Sequence, residues 1–166
     1  MITAYRSLRL DEVGKWLAFL CDDVFPGDPR SAVEDIWLRD PEKAPSGVFV
    51  ALDGRGRVLS AVMGGCRYLP LGGESVYTGI VSGVGTRRDM RGQGLATRLF
   101  ALCRAHLLQK GAALAHLYSR PDTLAFGGRE RISSACTACS RPCPSAAGWP
   151  RTRRSLRAYW RTWNPD

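Results

Sequence analysis

Long apolar runs are missing from this sequence of 166 residues, because no stretch of about 18 consecutive apolar residues occurs in it. No membrane-spanning helix is therefore predicted, and no membrane partner is expected. Residues 1–6 also lack the basic start, apolar run and small-residue cleavage site of a secretory signal. On these grounds we expect a cytoplasmic protein, in a compartment where thiols stay reduced.

Six residue types are absent from the last 40 residues, 127–166: Lys, Val, Met, Phe, Gln and His. Ile132 and Leu156 are the only Leu, Ile, Val or Phe there, whereas 8 of the 21 Arg fall in this segment. It carries +6 of the net charge of +9, so the basic character belongs to the tail. So little apolar area cannot offset the entropy of ordering the chain, and we expect residues 127–166 to be a mostly disordered tail.

The remaining residues, 1–126, have the length and pattern of one α/β domain. The pattern predicts strands at 2–8, 47–52, 58–68, 75–86 and 112–118, with a hairpin turn at 53–56. Helices are predicted at 12–25 after an Asp11 N-cap, from a Ser31 N-cap to before Pro41, and at 95–110. The order β-α-α-β-β-β-α-β indicates a mixed β-sheet with flanking helices. On the last helix we expect Leu95, Leu99, Leu102, Cys103 and Leu107 to form the apolar face, and Gly111 to end the helix.

A glycine-rich turn connects the strand at 75–86 to this helix. Gly92 and Gly94 let the backbone adopt positive φ and approach a ligand closely. Successive N–H groups then face the open start of the helix at Leu95, where an anionic pyrophosphate is favoured. Gly83 and Gly85 weaken the preceding strand for packing but suit a bulge or close ligand approach.

This segment resembles the acetyl-CoA motif of the GNAT superfamily of N-acetyltransferases, Arg/Gln-x-x-Gly-x-Gly/Ala. Arg91, Gly94 and Ala96 fill the motif, and the strand, turn, amphipathic helix, glycine and strand follow in the family's order. The flanking Val-x-Thr and Leu-Tyr-Ser segments are similar to the enhanced-intracellular-survival type. The resemblance covers about residues 1–126. It implies a GNAT-like fold, acetyl-CoA as co-substrate, no metal, and transfer of an acetyl group to a primary amine of a small molecule or peptide.

The resemblance also implies which residues hold the acetyl-CoA. The strand at 84–86 would hydrogen-bond the pantetheine arm, and an amide near Val84 would stabilise the thioester oxyanion. The turn would cradle the pyrophosphate, and Ser119 would lie across from it. The implied binding residues are Val84, Gly85, Thr86, Arg91, Gly92, Gln93, Gly94, Leu95, Ala96, Thr97 and Ser119.

The catalytic acid and base are left unassigned by the sequence. Cys103 lies on the apolar face of its helix and is interpreted as core packing, since the reaction needs no covalent enzyme intermediate. His116 lies within a predicted strand and is interpreted as structural. Glu74 could relay a proton through water, but a solvated strand end is the favoured interpretation. The acceptor amine and the oligomeric state are not indicated.

The family pattern is lost after Phe126. Gly127 stands where the resemblance implies a tyrosine that protonates the departing thiolate. The abrupt change in composition resembles a reading-frame shift, and on that hypothesis the last two strands and the acid are missing. An incomplete fold, and a catalytically impaired acyl-CoA-binding fragment as an alternative function, follow from this hypothesis.

The tail itself suggests two further interpretations. Cys136, Cys139 and Cys143 could bind zinc, but a structural site takes four ligands and the tail offers three thiols and no His. Chance clustering is favoured. The Arg- and Trp-rich residues 151–163 leave a nucleic-acid-associating protein as a third function. A solvated tail is favoured there, so nucleic acid is not expected as the partner.

Overall fold

The computed structural model describes residues 2–71, 73–112 and 114–117. Ser119 and the tail at 127–166, with the predictions made for them, lie outside the described residues. Among the described residues no helix is long and apolar enough to cross a membrane. The helices and strands follow one another as β1 Ile2–Ser7, α1 Val13–Phe19, α2 Arg30–Leu38, β2 Val48–Asp53, β3 Val58–Leu71, β4 Glu74–Thr86, α3 Leu95–Gln109 and β5 Leu114–Leu117.

In the described part of the chain, five strands form one sheet in the order β1-β2-β3-β4-β5. The first four strands pair antiparallel. Strand β5 pairs parallel to β4, because helix α3 carries the chain from the end of β4 back to the edge of the sheet where β4 begins. This confirms the predicted mixed sheet with flanking helices. The glycine-containing turn after Asp53 forms the β2–β3 hairpin as predicted.

Both faces of β2 are buried, which explains its unbroken apolar sequence. Val48, Val50 and Leu52 face the core that α1 and α2 cover, whereas Phe49 and Ala51 face α3. Successive side chains of a strand point to opposite faces, so a central strand between two layers of helix needs apolar residues at every position. The two helical layers therefore lie on opposite sides of β2, β3 and β4.

The apolar face of α3 differs from the prediction at Leu102, which is 37% exposed. Leu95, Leu99, Cys103 and Leu107 are buried as predicted, and Phe100 joins them; each is at most 6% exposed. At about 100° per residue these five positions span one arc of the helix, and Leu102 falls just outside its edge. Gly111 follows the last turn with φ +80°, as expected of a glycine that ends a helix.

The starts of the first two helices also differ from the prediction. Asp11 does not cap α1, because residues 10–12 form a separate 3₁₀ turn whose start is stabilised by the Arg9 amide donating to Glu12 Oε2 at 3.0 Å. Ser31 does not cap α2 either: the helix begins at Arg30 and Pro29 takes the capping position. Proline fixes φ near the helical value and so starts the helix without a side-chain cap.

The predicted helix at 12–25 is present from Val13 to Val24, but it changes type within its length. Helix α1 ends at Phe19, and the π-helical segment Leu20–Val24 follows, closed by the Phe25 amide donating to the Leu20 carbonyl at 2.8 Å. Such wide turns within helices are uncommon and recur at functional sites. This segment contacts β4 near the end where the candidate site lies.

The buried ion pair of Glu12 and Arg6 ties the first turn to β1. Arg6 Nη1 and Nη2 donate to the two Glu12 carboxylate oxygens at 2.8 and 2.7 Å, and Glu12 is 9% exposed. The Arg6 hydrogen bonds lower the pKa of Glu12 to about 2 from 4.5, against the opposing effect of burial. Because the folded-state pKa is depressed, the ion pair stabilises fully above about pH 4.5, and its contribution is lost as the pH falls towards about 2.

Glu12→Gln is therefore expected to lower the free energy of unfolding by about 2 kcal/mol at pH 7, because charge-assisted hydrogen bonds are lost. The difference in unfolding free energy between the variant and the wild type should shrink as the pH falls from about 4.5 to 2, because Glu12 of the wild type becomes protonated. Urea unfolding at several pH values measures both effects. Asp11→Asn removes the same charge from an exposed neighbour and serves as the control. Equal losses in the two variants would contradict a role for the buried pair.

Candidate functional site

A β-bulge interrupts the pairing of β3 and β4. Met63 lies opposite Ser82, whereas Ala61 lies opposite Gly85, so β4 fits one more residue than β3 between these two pairs. Gly83 has φ +56° in this bulge, a left-handed conformation that costs other residues energy. The expectation that the glycines of this strand suit a bulge is confirmed. A bulge re-aims backbone groups and breaks the regular hydrogen-bond ladder, and bulges of this kind occur beside active sites.

The last two residues of β4 are fixed by Ser60 of β3, which is fully buried. Ser60 Oγ donates to the Gly85 carbonyl at 2.8 Å and lies 2.8 Å from Thr86 Oγ1. Because the Ser60 hydroxyl has a single hydrogen, Thr86 Oγ1 must donate to it in this arrangement. On the other side, a Cβ on Gly85 would lie 2.3 Å from Val24 Cγ2, so a glycine is required where the π-helical segment approaches.

Among the described residues, strand β5 pairs with β4 only before the bulge. Within the described residues the pairing covers Thr78 to Val81 of β4, with Val81 opposite Leu117. Strand β4 continues beyond this pair to Thr86. The bulge and the end of β4 thus lie past the described pairing with β5, and Ser119, predicted to face them, lies outside the described residues.

The turn after β4 leads into α3 through two glycines with positive φ. Gly92 has φ +77°, and Gly94 has φ +72° as the N-cap of α3. A Cβ at either position would meet nothing within 4 Å, and no side chain caps the helix. The first intrahelical bond runs from the Arg98 amide to the Gly94 carbonyl at 3.1 Å. The N–H groups at the start of the helix lie before this bond and face an open approach.

Arg91 joins the turn to the strand. Its Nε donates to the Thr86 carbonyl at 3.2 Å, so the end of β4 and the turn form one connected surface. Arg88 and Arg91 are both exposed beside the helix start. Arg87 Nη1 pairs with Asp23 Oδ2 at 3.1 Å and ties the turn to the π-helical segment. The positive end of the helix dipole, Arg88 and Arg91 contribute positive charge here, whereas Arg87 also lies 3.8 Å from the exposed Asp89.

Ten of the eleven predicted binding residues lie along the end of β4, the turn and the start of α3. The strand-end residues are half-buried, Leu95 is buried, Ala96 is half-buried, and the others are exposed. The half-buried strand-end residues are Val84, Gly85 and Thr86, and the exposed ones are Arg91, Gly92, Gln93, Gly94 and Thr97. The surface offers backbone donors to a linear ligand that ends in an anionic group.

Of the three side chains weighed as candidates for chemistry, one is buried, one lies at the far end of β4 and one is half-buried on β5. Cys103 is fully buried, and burial raises its pKa to about 12, which fits core packing. Glu74 is exposed at the opposite end of β4, about 30 Å of extended strand from Gly83. His116 lies opposite Ile80 and is half-buried, and desolvation lowers its pKa. Among the described residues, no group of three or more His, Cys, Asp or Glu side chains could hold a metal ion.

Sequence reasoning missed a cleft on the α1 and α2 side of the sheet. Its volume, including the part open to solvent, is ≈ 330 Å³. Trp16 and Trp37 form its aromatic wall, with ring centroids 5.1 Å apart and planes at 78°. Ser82 and Gly83 of the bulge complete it. Trp16 and Trp37 lie on different helices, α1 and α2. The apolar spacing within each helix indicates a buried face, but it does not show whether the two helices and the sheet fill the space between them.

The sequence matches a family model described as the acetyltransferase (GNAT) domain over residues 4–124. A comparison with curated proteins gives no match.

Solved structures with a similar fold include several acetyltransferases, all with low sequence identity. Eis1 from Mycobacterium abscessus has a TM-score of 0.61 and 16% identity, and the alignment covers 75% of this chain and 31% of that one. Naa20 from Chaetomium thermophilum, solved with a bisubstrate analogue, has a TM-score of 0.60 and 20% identity, covering 76% and 69%. Glucosamine-6-phosphate N-acetyltransferase from Arabidopsis thaliana has a TM-score of 0.56 and 13% identity, covering 76% and 88%. This chain thus spans less than a third of Eis1.

Proposed function

The chain belongs to the GNAT family of N-acetyltransferases, and we propose that it transfers the acetyl group of acetyl-CoA to a primary amine. The observation that supports this most directly is the linkage between two backbone donor sites. The bulge in β4 and the uncapped start of α3 are separated by one short turn and joined by the Arg91–Thr86 hydrogen bond. A ligand with a peptide-like arm and a pyrophosphate needs both kinds of donor side by side.

The start of α3 fits a pyrophosphate. Gly92 and Gly94 hold left-handed conformations that leave open space where other residues would place a Cβ. Phosphate oxygens could therefore approach the first N–H groups of the helix closely, as anions do at helix N-termini. Exposed Arg88 and Arg91 add positive charge beside this point. In this proposal Gln93, Leu95, Ala96 and Thr97 contribute their backbone to the same cradle.

The end of β4 fits the pantetheine arm. Val84 ends the bulge, and Gly85 and Thr86 follow it, beyond the described pairing with β5, so the backbone of these residues can pair with the amides of the arm as a strand would. Ser60 holds this strand end in place from the buried side. An amide at the bulge would donate to the carbonyl oxygen of the thioester as negative charge develops there.

Acetyl-CoA, when bound, supplies an acetyl group activated as a thioester. The uncharged amine nitrogen attacks the carbonyl carbon, a C–N bond forms, the C–S bond breaks, and the sulfur leaves as a thiolate. The nitrogen releases a proton and the thiolate takes one up, so the products are an acetamide and free CoA thiol. The described residues contribute by holding the carbonyl beside the bulge and stabilising its oxygen.

Two measurements on the full chain test this function and separate it from its alternative. Isothermal titration should show binding of CoA and acetyl-CoA, and a thiol assay should show CoA release that requires an added amine. Binding without amine-dependent release would identify an impaired acyl-CoA-binding protein. Absence of binding at millimolar ligand would overturn both functions.

A further inference from the structure

The cleft beside the bulge has an apolar wall and no ionisable group among its described lining residues. Its apolar lining comprises Trp16, Leu20, Phe25, Val33, Ile36, Trp37 and Met63. Ser82 and Gly83 supply the remaining surface. A surface of this kind favours an apolar group and disfavours an ammonium or carboxylate, which would lose its hydration without gaining a partner.

The charged groups adjacent to the cleft lining do not offset this, since Glu34 pairs with Arg30 at 3.1 Å and Asp35 with Arg39 at 2.7 Å on α2. Asp23 belongs to the π-helical segment that contributes Leu20, and its carboxylate pairs with Arg87 at 3.1 Å. Asp22 is exposed on the same segment. A substrate with several positive charges would therefore find no acidic lining in the cleft.

The cleft ends at the residues where the reaction would take place. Ser82 and Gly83 line it and also form the start of the bulge whose amides would hold the thioester carbonyl. A molecule whose ring fills the cleft would hold an amine on a short linker beside that carbonyl. The cleft is small, since water-sized spheres can occupy only ≈ 60 Å³ within it, and its open mouth leaves room for a single ring at most.

We propose that the acceptor is a primary monoamine joined by a short linker to a single apolar ring of phenyl size, and that this ring occupies the cleft. The proposal rests on the acetyl transfer proposed above. On this proposal the cleft selects amines that carry one charge and one apolar ring over amines that carry several charges or have no apolar part.

Two substrate comparisons test the proposal on the full chain. 2-Phenylethylamine and ethylamine differ by one phenyl group, and we expect kcat/KM per uncharged amine to be about 10- to 100-fold higher for the former, from burial of the ring. Spermidine, with three basic nitrogens, should be a poorer substrate than 2-phenylethylamine. Equal kcat/KM for the two matched amines, or a preference for spermidine, would overturn the proposal.

A pair of variants on α2 tests the location. Ile36 lines the cleft and Leu38 does not, although both are 57% exposed on the same helix. Ile36→Ala should raise KM for 2-phenylethylamine about three- to tenfold, because the ring loses an apolar contact, and should raise KM for ethylamine less, because that amine has no ring. Leu38→Ala should change neither. Equal effects of the two variants on both amines would overturn the assignment of the cleft.

Titration of CoA in the same samples separates this inference from the proposed function. CoA binding with no preference for the ring-bearing amine would refute the cleft assignment alone. Loss of CoA binding in the unmodified chain would refute acetyl transfer itself. Retained CoA binding in both α2 variants is expected, since Ile36 and Leu38 lie on the other side of the sheet from α3.

Discussion

Gly94→Asp is expected to weaken CoA binding about a hundredfold while leaving the fold intact. Asp tolerates the left-handed conformation that Gly94 adopts at φ +72°, and nothing within 4 Å obstructs a Cβ there. Its carboxylate would accept hydrogen bonds from the start of α3 and repel the pyrophosphate. Two like charges about 4 Å apart repel by about 1 kcal/mol in water and about 4 kcal/mol near a protein surface. About 2.7 kcal/mol, within this range, corresponds to a hundredfold.

The matched control at the same position is Gly94→Asn. Asn has the same shape and the same tolerance of the left-handed region, so it reports steric crowding without the charge. We expect Gly94→Asn to weaken CoA binding about tenfold or less, since one tenfold step corresponds to about 1.4 kcal/mol. Isothermal titration of CoA at low and high salt measures both variants, and the difference between them should shrink as salt screens the repulsion.

A second control lies at the other end of the same helix. Gly111 has φ +80° and equally open space, so Gly111→Asp makes the same substitution in the same backbone conformation. It should lower the stability of the fold, because a negative charge is unfavourable at a helix C-terminus, but leave CoA affinity unchanged. Wild-type affinity in Gly94→Asp, or an equal loss of affinity in Gly111→Asp, would contradict a pyrophosphate site at the start of α3.

The part of the site that the sequence predicts well is the part encoded within one short segment. Gly92, Gly94 and the apolar spacing from Leu95 onward determine a turn, a positive φ and a helix start by local backbone preferences alone. The same holds for β2 and β3, whose apolar runs flank an Asp-Gly turn. These features are confirmed because each depends on residues close together in the chain.

The features that the sequence does not predict depend on contacts between distant segments. The position of the bulge follows from the register of β4 against β3, and Gly83 alone could not reveal which residue lies opposite. The cleft forms because α1, α2 and β4 meet without filling the space between them, and Trp16 and Trp37 carry no local sign of it. Leu102 is predicted to be buried but is exposed. A residue at the edge of an apolar arc is buried only if another segment covers it, and the spacing within the helix does not reveal that segment.

The packing of α3 on the sheet depends on a glycine that the sequence did not single out. A Cβ on Gly64 of β3 would lie 2.5 Å from Cys103 Sγ, closer than real Cβ contacts come. Gly64 and Cys103 are both buried, so neither can move into solvent to relieve the contact. The small residue in the strand therefore lets the helix that begins at the pyrophosphate site lie close to the sheet.

Gly64→Ala is expected to lower the free energy of unfolding by about 2–3 kcal/mol, the cost of overpacking a filled core. Cys103→Ala removes the sulfur and should cost about 1–2 kcal/mol by leaving a small cavity. In the double variant the new methyl group occupies the space of the lost sulfur. The double variant should therefore lose less unfolding free energy than the two single variants lose together, by at least about 1 kcal/mol. A coupling of this size is expected only of residues in contact.

Urea unfolding of the four proteins of this cycle measures the coupling, and Gly65→Ala provides the control. A Cβ on Gly65 would meet Arg67 Nη1 at 3.6 Å, an ordinary contact with a flexible side chain, so this variant should lose less than about 1 kcal/mol. Additive losses in the double variant would contradict the packing described here. Cys103→Ala should also keep its acetyl-transfer rate, because a fully buried thiol with a pKa of about 12 stays protonated and serves as packing beneath the site, not as a nucleophile.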